Sequence, residues 1–379
     1  MKPDDEKYMQ GALKLARRGI GSVEPNPAVG CVIVKGNQIA GKGWHRKFGA
    51  PHAEINALED CKNLGLSPES STIYVTLEPC SHHGKTPPCT DAIIESRPAR
   101  VVVAAIDPSE HANGAGIQRL RDAGIEVETG ICETEARLLN GPFLKFAATG
   151  RCWTILKWAQ TIDGKLAWAD KTGERRWISN EFSRKDVQTL RKRAQAIVVG
   201  INTILTDDPL LTARPAKGKT LTRVVLDTRL SIPLDCQLLA TAQKAPVLIL
   251  TSRRTVETEP HRAEQIRSKG AELLIFADTP GLSNLHFLID ELSERGVAQL
   301  LVEGGPTVIA SFLRERLADE FSVYISPLIL GGRGKADIAA PLAQLTESLA
   351  LRHVNIQSFH GDVCIRGLSA QAAEELSIL

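Results

Sequence analysis

Four residues constrain the fold of this chain more than any others: His52 and Glu54 in the run His52-Ala53-Glu54, Cys80 after Pro79, and Cys89 after Pro87-Pro88. One imidazole, two thiols and a nearby carboxylate are the parts of a hydrolytic zinc centre, in which three protein ligands leave the fourth position to water. The carboxylate is then spare and can move that water's protons. Such a centre forms only if segments far apart in sequence deliver these side chains to one point. Residues two apart in a continuous helix face nearly opposite ways, so His52 is expected at a helix mouth, just after Pro51, with Glu54 reaching back from the first turn. Cys89 is placed to open a helix, where the N-terminal dipole favours a thiolate, and Cys80 to follow the exit of a strand. Every ligand thus falls at an element end facing one edge of a sheet. Core cysteines and a surface histidine explain any one of these residues alone, but not all four at such positions. His82 and His83 leave the ligand count open: either could replace His52, line the pocket, or merely pack.

At 379 residues two domains are the natural prior, and 43% hydrophobic with 24% charged residues leaves room for globular cores. The acidic start Met1-Lys2-Pro3-Asp4-Asp5-Glu6-Lys7, with no apolar run behind it, argues against a signal peptide. No stretch has the length and apolarity of a membrane span. A net charge of +2 gives little attraction to nucleic acid. Apart from Cys80 and Cys89, the cysteines (Cys31, Cys61, Cys132, Cys152, Cys236 and Cys364) are scattered, mostly in apolar stretches. A disulfide framework is therefore not expected, and a reducing cytoplasm is the expected compartment.

The first half alternates helix and strand. Asp4 or Asp5 caps a helix carrying Met9, Ala12, Leu13 and Ala16 at helical spacing, and strands over 29–34 and 38–41 flank Lys35-Gly36-Asn37 as a hairpin. Helices over 53–64, 89–96, 116–123 and 132–140 alternate with strands over 72–77, 100–106 and 125–129. That alternation predicts a sheet with helices on both faces. Around Phe146-Ala147-Ala148-Thr149-Gly150 the pattern restarts, which divides the chain into 1–147 and 148–379. Strands are expected at 153–159, 196–199, 221–226, 247–250, 273–276, 299–302 and 321–325, and helices at 181–193, 261–269, 285–295 and 307–316. A terminal hairpin joins 351–356 to 363–368. Glu303-Gly304-Gly305-Pro306-Thr307 follows an expected strand and opens an expected helix. Glycines there let the backbone approach a ligand, and free N–H groups at a helix mouth suit phosphate, although a Gly-Gly-Pro is more often only a turn. It is not the G-x-G-x-x-G fingerprint, which argues against a Rossmann domain. Gly331-Gly332-Arg333-Gly334 is a similar loop.

Pro25-Asn26-Pro27-Ala28-Val29-Gly30-Cys31, Gly43-Trp44-His45 and His52-Ala53-Glu54 together resemble the cytidine-deaminase superfamily. That superfamily's signature joins H-x-E to P-C-x-x-C, whereas the cysteines here stand nine positions apart. The run Thr76-Leu77-Glu78-Pro79-Cys80-Ser81-His82-His83-Gly84-Lys85-Thr86-Pro87-Pro88-Cys89 resembles the bifunctional riboflavin-biosynthesis deaminase/reductase family, in which the wider spacing is normal. In the second half, Leu156-Lys157-Trp158-Ala159-Gln160-Thr161-Ile162-Asp163-Gly164, Trp177-Ile178-Ser179, Leu205-Thr206-Asp207-Asp208-Pro209-Leu210-Leu211-Thr212 and Val302-Glu303-Gly304-Gly305-Pro306-Thr307 are similar to that family's reductase domain. The resemblance covers nearly the whole chain. It implies an α/β protein: an N-terminal cytidine-deaminase-like α/β/α sandwich and a C-terminal dihydrofolate-reductase-like α/β domain.

The resemblance also implies a chemistry. The substrate would be a phosphoribosylated diaminopyrimidinone. Zinc on His52, Cys80 and Cys89 would lower the pKa of its water, the resulting hydroxide would attack the amino-bearing ring carbon, and Glu54 would shuttle protons as ammonia leaves. Asn26 and His45 would hold the ring, and His82 and Lys85 would approach the polar tail, although Lys85 also reads as an ordinary solvated lysine. NADPH would then reduce the ribose to ribityl. Ala159, Thr203, Asp207, Thr228, Glu303, Gly305, Pro306 and Thr307 would contact the cofactor. Lys157, Arg175, Trp177, Arg191, Leu211 and Arg214 would face the substrate, with Lys157 and Asp207 beside the reacting carbon. Arg175 stands where the family carries a small polar residue, the loop Trp168-Ala169-Asp170-Lys171 is slightly longer, and Arg191 lies in a basic helix whose charges could be merely solvated. A homo-oligomer is expected, with neither nucleic acid nor membrane as partner. One rival is a tRNA or free-nucleobase deaminase with an accessory domain, which 4% aromatic content and near-neutral charge do not favour. Another is a binding protein built on inactive enzyme domains, against which Glu54 and the three ligands stand.

Overall fold

The computed structural model describes residues 4–82, 87–170, 177–214, 220–277, 284–343 and 345–379. They form two compact units, Met1–Gly150 with Glu375–Leu379, and Arg151–Glu374. Residue 147, after which the sequence pattern restarts, lies inside the long helix Glu133–Thr149, which ends at Gly150 in the left-handed conformation (φ 69°).

The first unit runs α1 (Asp5–Ala16), β1 (Gly30–Lys35), β2 (Gln38–Trp44), α2 (Ala53–Asn63), β3 (Thr72–Val75), α3 (Cys89–Glu95), β4 (Arg100–Val103), α4 (Ala115–Asp122), β5 (Glu126–Thr129) and α5 (Glu133–Thr149). Its sheet has the order β2-β1-β3-β4-β5. β1 is antiparallel to both neighbours, and β3, β4 and β5 are parallel. Gly36 and Asn37 both have positive φ (54° and 64°), as a tight hairpin turn between β1 and β2 requires. All of β4 is buried, as a strand covered on both faces must be. α1 packs over Gly30 and Val32 on one face, while α2 packs over Gly41 and Gly43, which pair with Ile33 and Cys31 on the other. The expected helix end at Asn140 is a kink instead: Asn140 leaves helical geometry (φ −109°, ψ 16°) and Pro142 sits inside α5. The break frees the Asn140 side chain to accept from Ala28 N (2.8 Å) and donate to Ala28 O (3.0 Å), fixing the Pro25–Gly30 segment.

The second unit contains β6 (Trp153–Thr161), β7 (Lys165–Trp168), α6 (Glu181–Arg193), β8 (Ala196–Gly200), α7 (Ile201–Asp207), β9 (Thr222–Leu226), β10 (Val247–Ser252), β11 (Glu272–Phe276), β12 (Gln299–Val302), β13 (Glu320–Ser326), β14 (Gly334–Asp337), β15 (Arg352–Phe359) and β16 (Asp362–Leu368). Nine strands form one sheet in the order β11-β10-β9-β8-β12-β6-β13-β16-β15, parallel from β11 to β13, with the antiparallel hairpin β15–β16 at its edge. The continuous apolar runs read as strands in the sequence are the buried central strands β8, β10 and β12. α6 spans 181–193, as its pattern predicts. Asn180 caps it by accepting from Phe182 N and Ser183 N, and Arg191, Lys192 and Arg193 fill its last turn. The ribbon β7–β14 and the short α7 were not legible in the sequence. β7 and β14 alternate weakly and are joined by a Lys165–Asp337 ion pair (2.7 Å). Among the described residues no helix is long and apolar enough to cross a membrane.

A buried ion pair ties α1 to the first sheet. Arg100, at the start of β4, donates from both terminal nitrogens to Asp5 (2.8 Å each), and the Tyr74 hydroxyl donates to the same carboxylate (2.7 Å). Arg100 also pairs with Glu128 of β5. Removing one partner strands the other charge in a low-dielectric interior. Arg100→Met is therefore expected to cost about 3–5 kcal/mol of stability. Urea unfolding is the measurement, and an unchanged midpoint would contradict the account.

Candidate functional site

The first site depends on how closely β2 and α2 approach. A Cβ on Gly43 would lie 2.2 Å from Ala53 O, and one on Gly41 2.4 Å from Ala57 O, so only glycine permits the contact. The N-terminus of α2 is thereby held against the sheet, with His52 as its N-cap in extended geometry and Glu54 in its first turn. Cys80 lies beyond the end of β3, and Cys89 is the first residue of α3, whose N-cap is Pro88. The Nδ1 of His52 is 3.6 Å from Cys80 Sγ and 3.3 Å from Cys89 Sγ. The three ligand atoms lie within 4.8 Å of one another, the only such His, Cys, Asp or Glu group among the described residues. A tetrahedral zinc ion with bonds of ~2.0 Å to nitrogen and ~2.3 Å to sulfur sets those atoms about 3.6 Å apart. The donors thus fit zinc in kind and in spacing.

The surroundings bias each group. Burial pushes the Glu54 carboxyl up to about 7, against the attraction of His52. The hydrogen bond with Cys89 lowers the Cys80 thiol well below its usual range, helped by His52 and by the Cys89 backbone N–H at 3.3 Å, while the same bond and burial raise Cys89. His52 is raised by its hydrogen bond to Cys80. His45 is 3% exposed, and its ring meets that of His52 edge-on at 5.3 Å. Its Nδ1 lies 3.2 Å from Pro51 O, while its buried Nε2 has no protein partner. Burial lowers its pKa, so a neutral ring donating through Nδ1 leaves an Nε2 lone pair for a ligand. Asn56, which the sequence reading passed over, donates to both Pro51 O and Trp44 O at 3.0 Å and locks this corner. Its only sequence signal is a polar residue on the inner side of α2. Asn26 lies half-buried on the turn before β1, its backbone N–H bonded to Val23 O. His82 is exposed, 5.8 Å from the His111 ring, and does not join the metal-type group. His83 and Lys85 lie outside the described residues.

The second unit has a cleft of about 560 Å³ on the sheet face covered by α6. Lys157, Ala159, Trp177, Arg191, Asp207, Arg214 and Glu303 line it. Thr203, Leu211, Thr228, Gly305, Pro306 and Thr307 do not. Thr203 lies on α7 and Thr228 after β9, and Gly305 caps the helix Pro306–Arg314 after β12, at the carboxyl ends of parallel strands where open α/β sheets take ligands. Leu211 is buried with φ 52°, and Arg175 lies outside the described residues. Arg191 and Glu303, expected to face substrate and cofactor, are bonded to each other through Arg191 Nε (2.7 Å) and a terminal nitrogen (2.9 Å). Burial opposes the charge on Glu303, but the Arg191 guanidinium outweighs it and holds the carboxyl down at about 2. Lys157 is depressed by burial, with Glu303 opposing. Its Nζ lies 5.6 Å from the centre of the Tyr324 ring, whose hydroxyl is gripped by Asp186 and Arg366. Those three residues were missed because Tyr324 reads in sequence as one more core aromatic of a buried strand.

A zinc-deaminase-type centre and a separate parallel-sheet cleft on one chain define a two-domain deaminase/reductase, and both halves match families of that description. Residues 2–105 match the cytidine and deoxycytidylate deaminase zinc-binding region, and residues 152–365 match the RibD C-terminal domain. The riboflavin biosynthesis protein RibD of Aquifex aeolicus is 43% identical over 364 residues, covering 95% of this chain and 97% of its own. The solved structure of Acinetobacter baumannii RibD superposes with a TM-score of 0.79 at 36% identity, covering 97% of this chain and 99% of that one. A structure from Thermotoga maritima, described as a diaminohydroxyphosphoribosylaminopyrimidine deaminase/5-amino-6-(5-phosphoribosylamino)uracil reductase, gives 0.78 at 32% identity with the same coverage. This chain belongs to the RibD family of bifunctional riboflavin-biosynthesis enzymes, with deaminase and reductase activities and with Zn²⁺ and NADPH as cofactors. The tRNA or nucleobase deaminase reading is not favoured, because the matches extend through both halves.

Cys31 and Cys89 are both buried, but only Cys89 reaches His52. Cys89→Ala is expected to lower the zinc content of the purified chain and Cys31→Ala to leave it unchanged. Metal analysis showing the reverse would assign the ligand to the wrong thiol.

Proposed function

We propose that residues 1–147 release ammonia from a phosphoribosylated diaminopyrimidinone, and that residues 148–379 reduce the ribose of the deaminated product to ribityl with NADPH. The convergence of His52, Cys80 and Cys89 beside the buried Glu54 carries the first half of this reading. Zinc, when bound, supplies a Lewis acid that activates water near neutral pH. Glu54 is buried in the first turn of α2, two residues from His52, and its carboxyl takes up a proton and passes protons on to the ring nitrogen and to the departing ammonia. The bare Nε2 of His45 accepts from the pyrimidine, Asn26 holds its edge, and His82 and Lys85 are assigned to the phosphoribosyl tail.

In the second unit Lys157 and Asp207 flank the sugar carbon that receives hydride. The Arg191–Glu303 pair fixes the charge on the cleft floor, and Arg214, which lines the same cleft, is assigned to the substrate's phosphate. Trp177 walls the substrate, and Leu211 and Arg175 are assigned to the same ligand. Ala159, Thr203, Thr228 and the Gly305–Thr307 helix mouth hold the cofactor. The chain works in the cytoplasm on a small molecule, without nucleic acid, as a homo-oligomer. Support for self-association comes from β15, an edge strand exposed along most of its length that presents Val354 and Ile356.

Glu54→Gln keeps all three ligand atoms and removes the proton carrier. It should retain zinc, lose about 10²–10⁴-fold in ammonia release, and still oxidise NADPH when given the deaminated substrate. Near-normal ammonia release would overturn the assignment. Ile356→Lys should shift the light-scattering mass toward the monomer; an unchanged mass would rule out β15 as the contact.

A further inference from the structure

Glu78 is used by neither reaction, yet its carboxylate is among the best-satisfied groups in the first unit. It is 5% exposed and accepts from four backbone N–H groups. Asp107 and Gly114 donate to Oε2 at 3.2 and 2.9 Å, and Gly116 and Ile117 to Oε1 at 2.8 and 3.4 Å. The last two open α4, whose own N-cap, Gly114, has no side chain to offer. Glu78 is therefore the cap of a helix it does not belong to, with its negative charge at the positive end of that helix.

The same helix grips the chain on both sides of Cys80. A Cβ on Gly116 would lie 2.1 Å from Pro79 O, so α4 approaches the ligand segment as closely as only a glycine allows. One turn further on, Arg119 donates to Ser81 O (3.2 Å) and pairs with Asp91 (2.5 Å) in the first turn of α3, just beyond Cys89. α4 thus holds residues 78, 79 and 81 around one thiol and residue 91 beside the other.

We propose that Glu78, acting through α4, is a positioning residue for the two zinc thiols. The inference rests on the assignment of Cys80 and Cys89 as ligands. A glutamine at this position has one acceptor oxygen instead of two, and its amide hydrogens would face N–H donors across a dry interface. The segment 78–81 must then move to relieve that clash, and Cys80 moves with it. Outer partners that orient metal ligands are typically worth about ten- to hundredfold in metal affinity.

The test uses the full chain loaded with zinc. Release of zinc to an excess of a chromophoric chelator should be about ten- to hundredfold faster for Glu78→Gln than for the wild type. Thermal unfolding with and without zinc separates positioning from simple helix capping. A lost cap lowers both midpoints equally, whereas a displaced thiol shrinks the rise that zinc produces. Release at the wild-type rate with an undiminished rise overturns the proposal. Should Glu78→Gln fail to fold, Arg119→Met decides the matter, because that side chain is half-exposed and its loss cuts only the link from Ser81 to Asp91. A several-fold faster release supports the proposal, and a wild-type rate overturns it. If Cys89→Ala keeps its zinc, the ligand assignment itself fails. If that variant loses zinc while Glu78→Gln releases it normally, only the positioning role fails.

Discussion

An imidazole nitrogen and two sulfurs within 4.8 Å form an arrangement that side chains do not adopt for their own sake. Two thiolates and a histidine at that spacing must share protons or share a cation, and the donor set is one that suits zinc. Holding them there requires three element ends to meet. The glycine contact between β2 and α2 brings His52, the exit from β3 brings Cys80, and the opening of α3 brings Cys89. Each end is fixed by bonds outside the group: Pro51 O held by Asn56 and His45, and the chain around Cys80 and Cys89 held by α4.

The second unit meets a different constraint. Hydride transfer needs no protein nucleophile, only a cleft that positions donor and acceptor carbons and stabilises charge. The parallel strands β8, β9 and β12 end at one edge of the sheet, and α6 roofs the face carrying Lys157 and Ala159. Burying Arg191 with Glu303 neutralises one cation and one anion in place, which leaves the Lys157 ammonium as a local charge over the Tyr324 ring. Charge placement on the cleft floor is thus set by pairs across α6, β6 and β12, none of which is adjacent in sequence.

Much of the architecture was legible along the chain because its signals are local. The buried runs of β8, β10 and β12, the 13-residue α6, and the Gly36-Asn37 turn each follow from neighbouring residues alone. The features that escaped depend on distant partners. The kink at Asn140 is held by hydrogen bonds to Ala28, and the ribbon β7–β14 by an ion pair between residues far apart in sequence. α7 is too short to show a period.

The sequence by itself determined which donors were available and which element ends they would occupy, since proline and helix-capping chemistry act over a few residues. It also carried, through its motifs, the family to which the chain belongs. Only the tertiary structure decided that His52 and not His82 joins the two thiols, and that Arg191 turns to Glu303. Only there did Glu78, a loop residue, prove to cap α4. These outcomes are set by distances across the fold, and hydrogen bonds and ion pairs over such distances leave no local pattern to read.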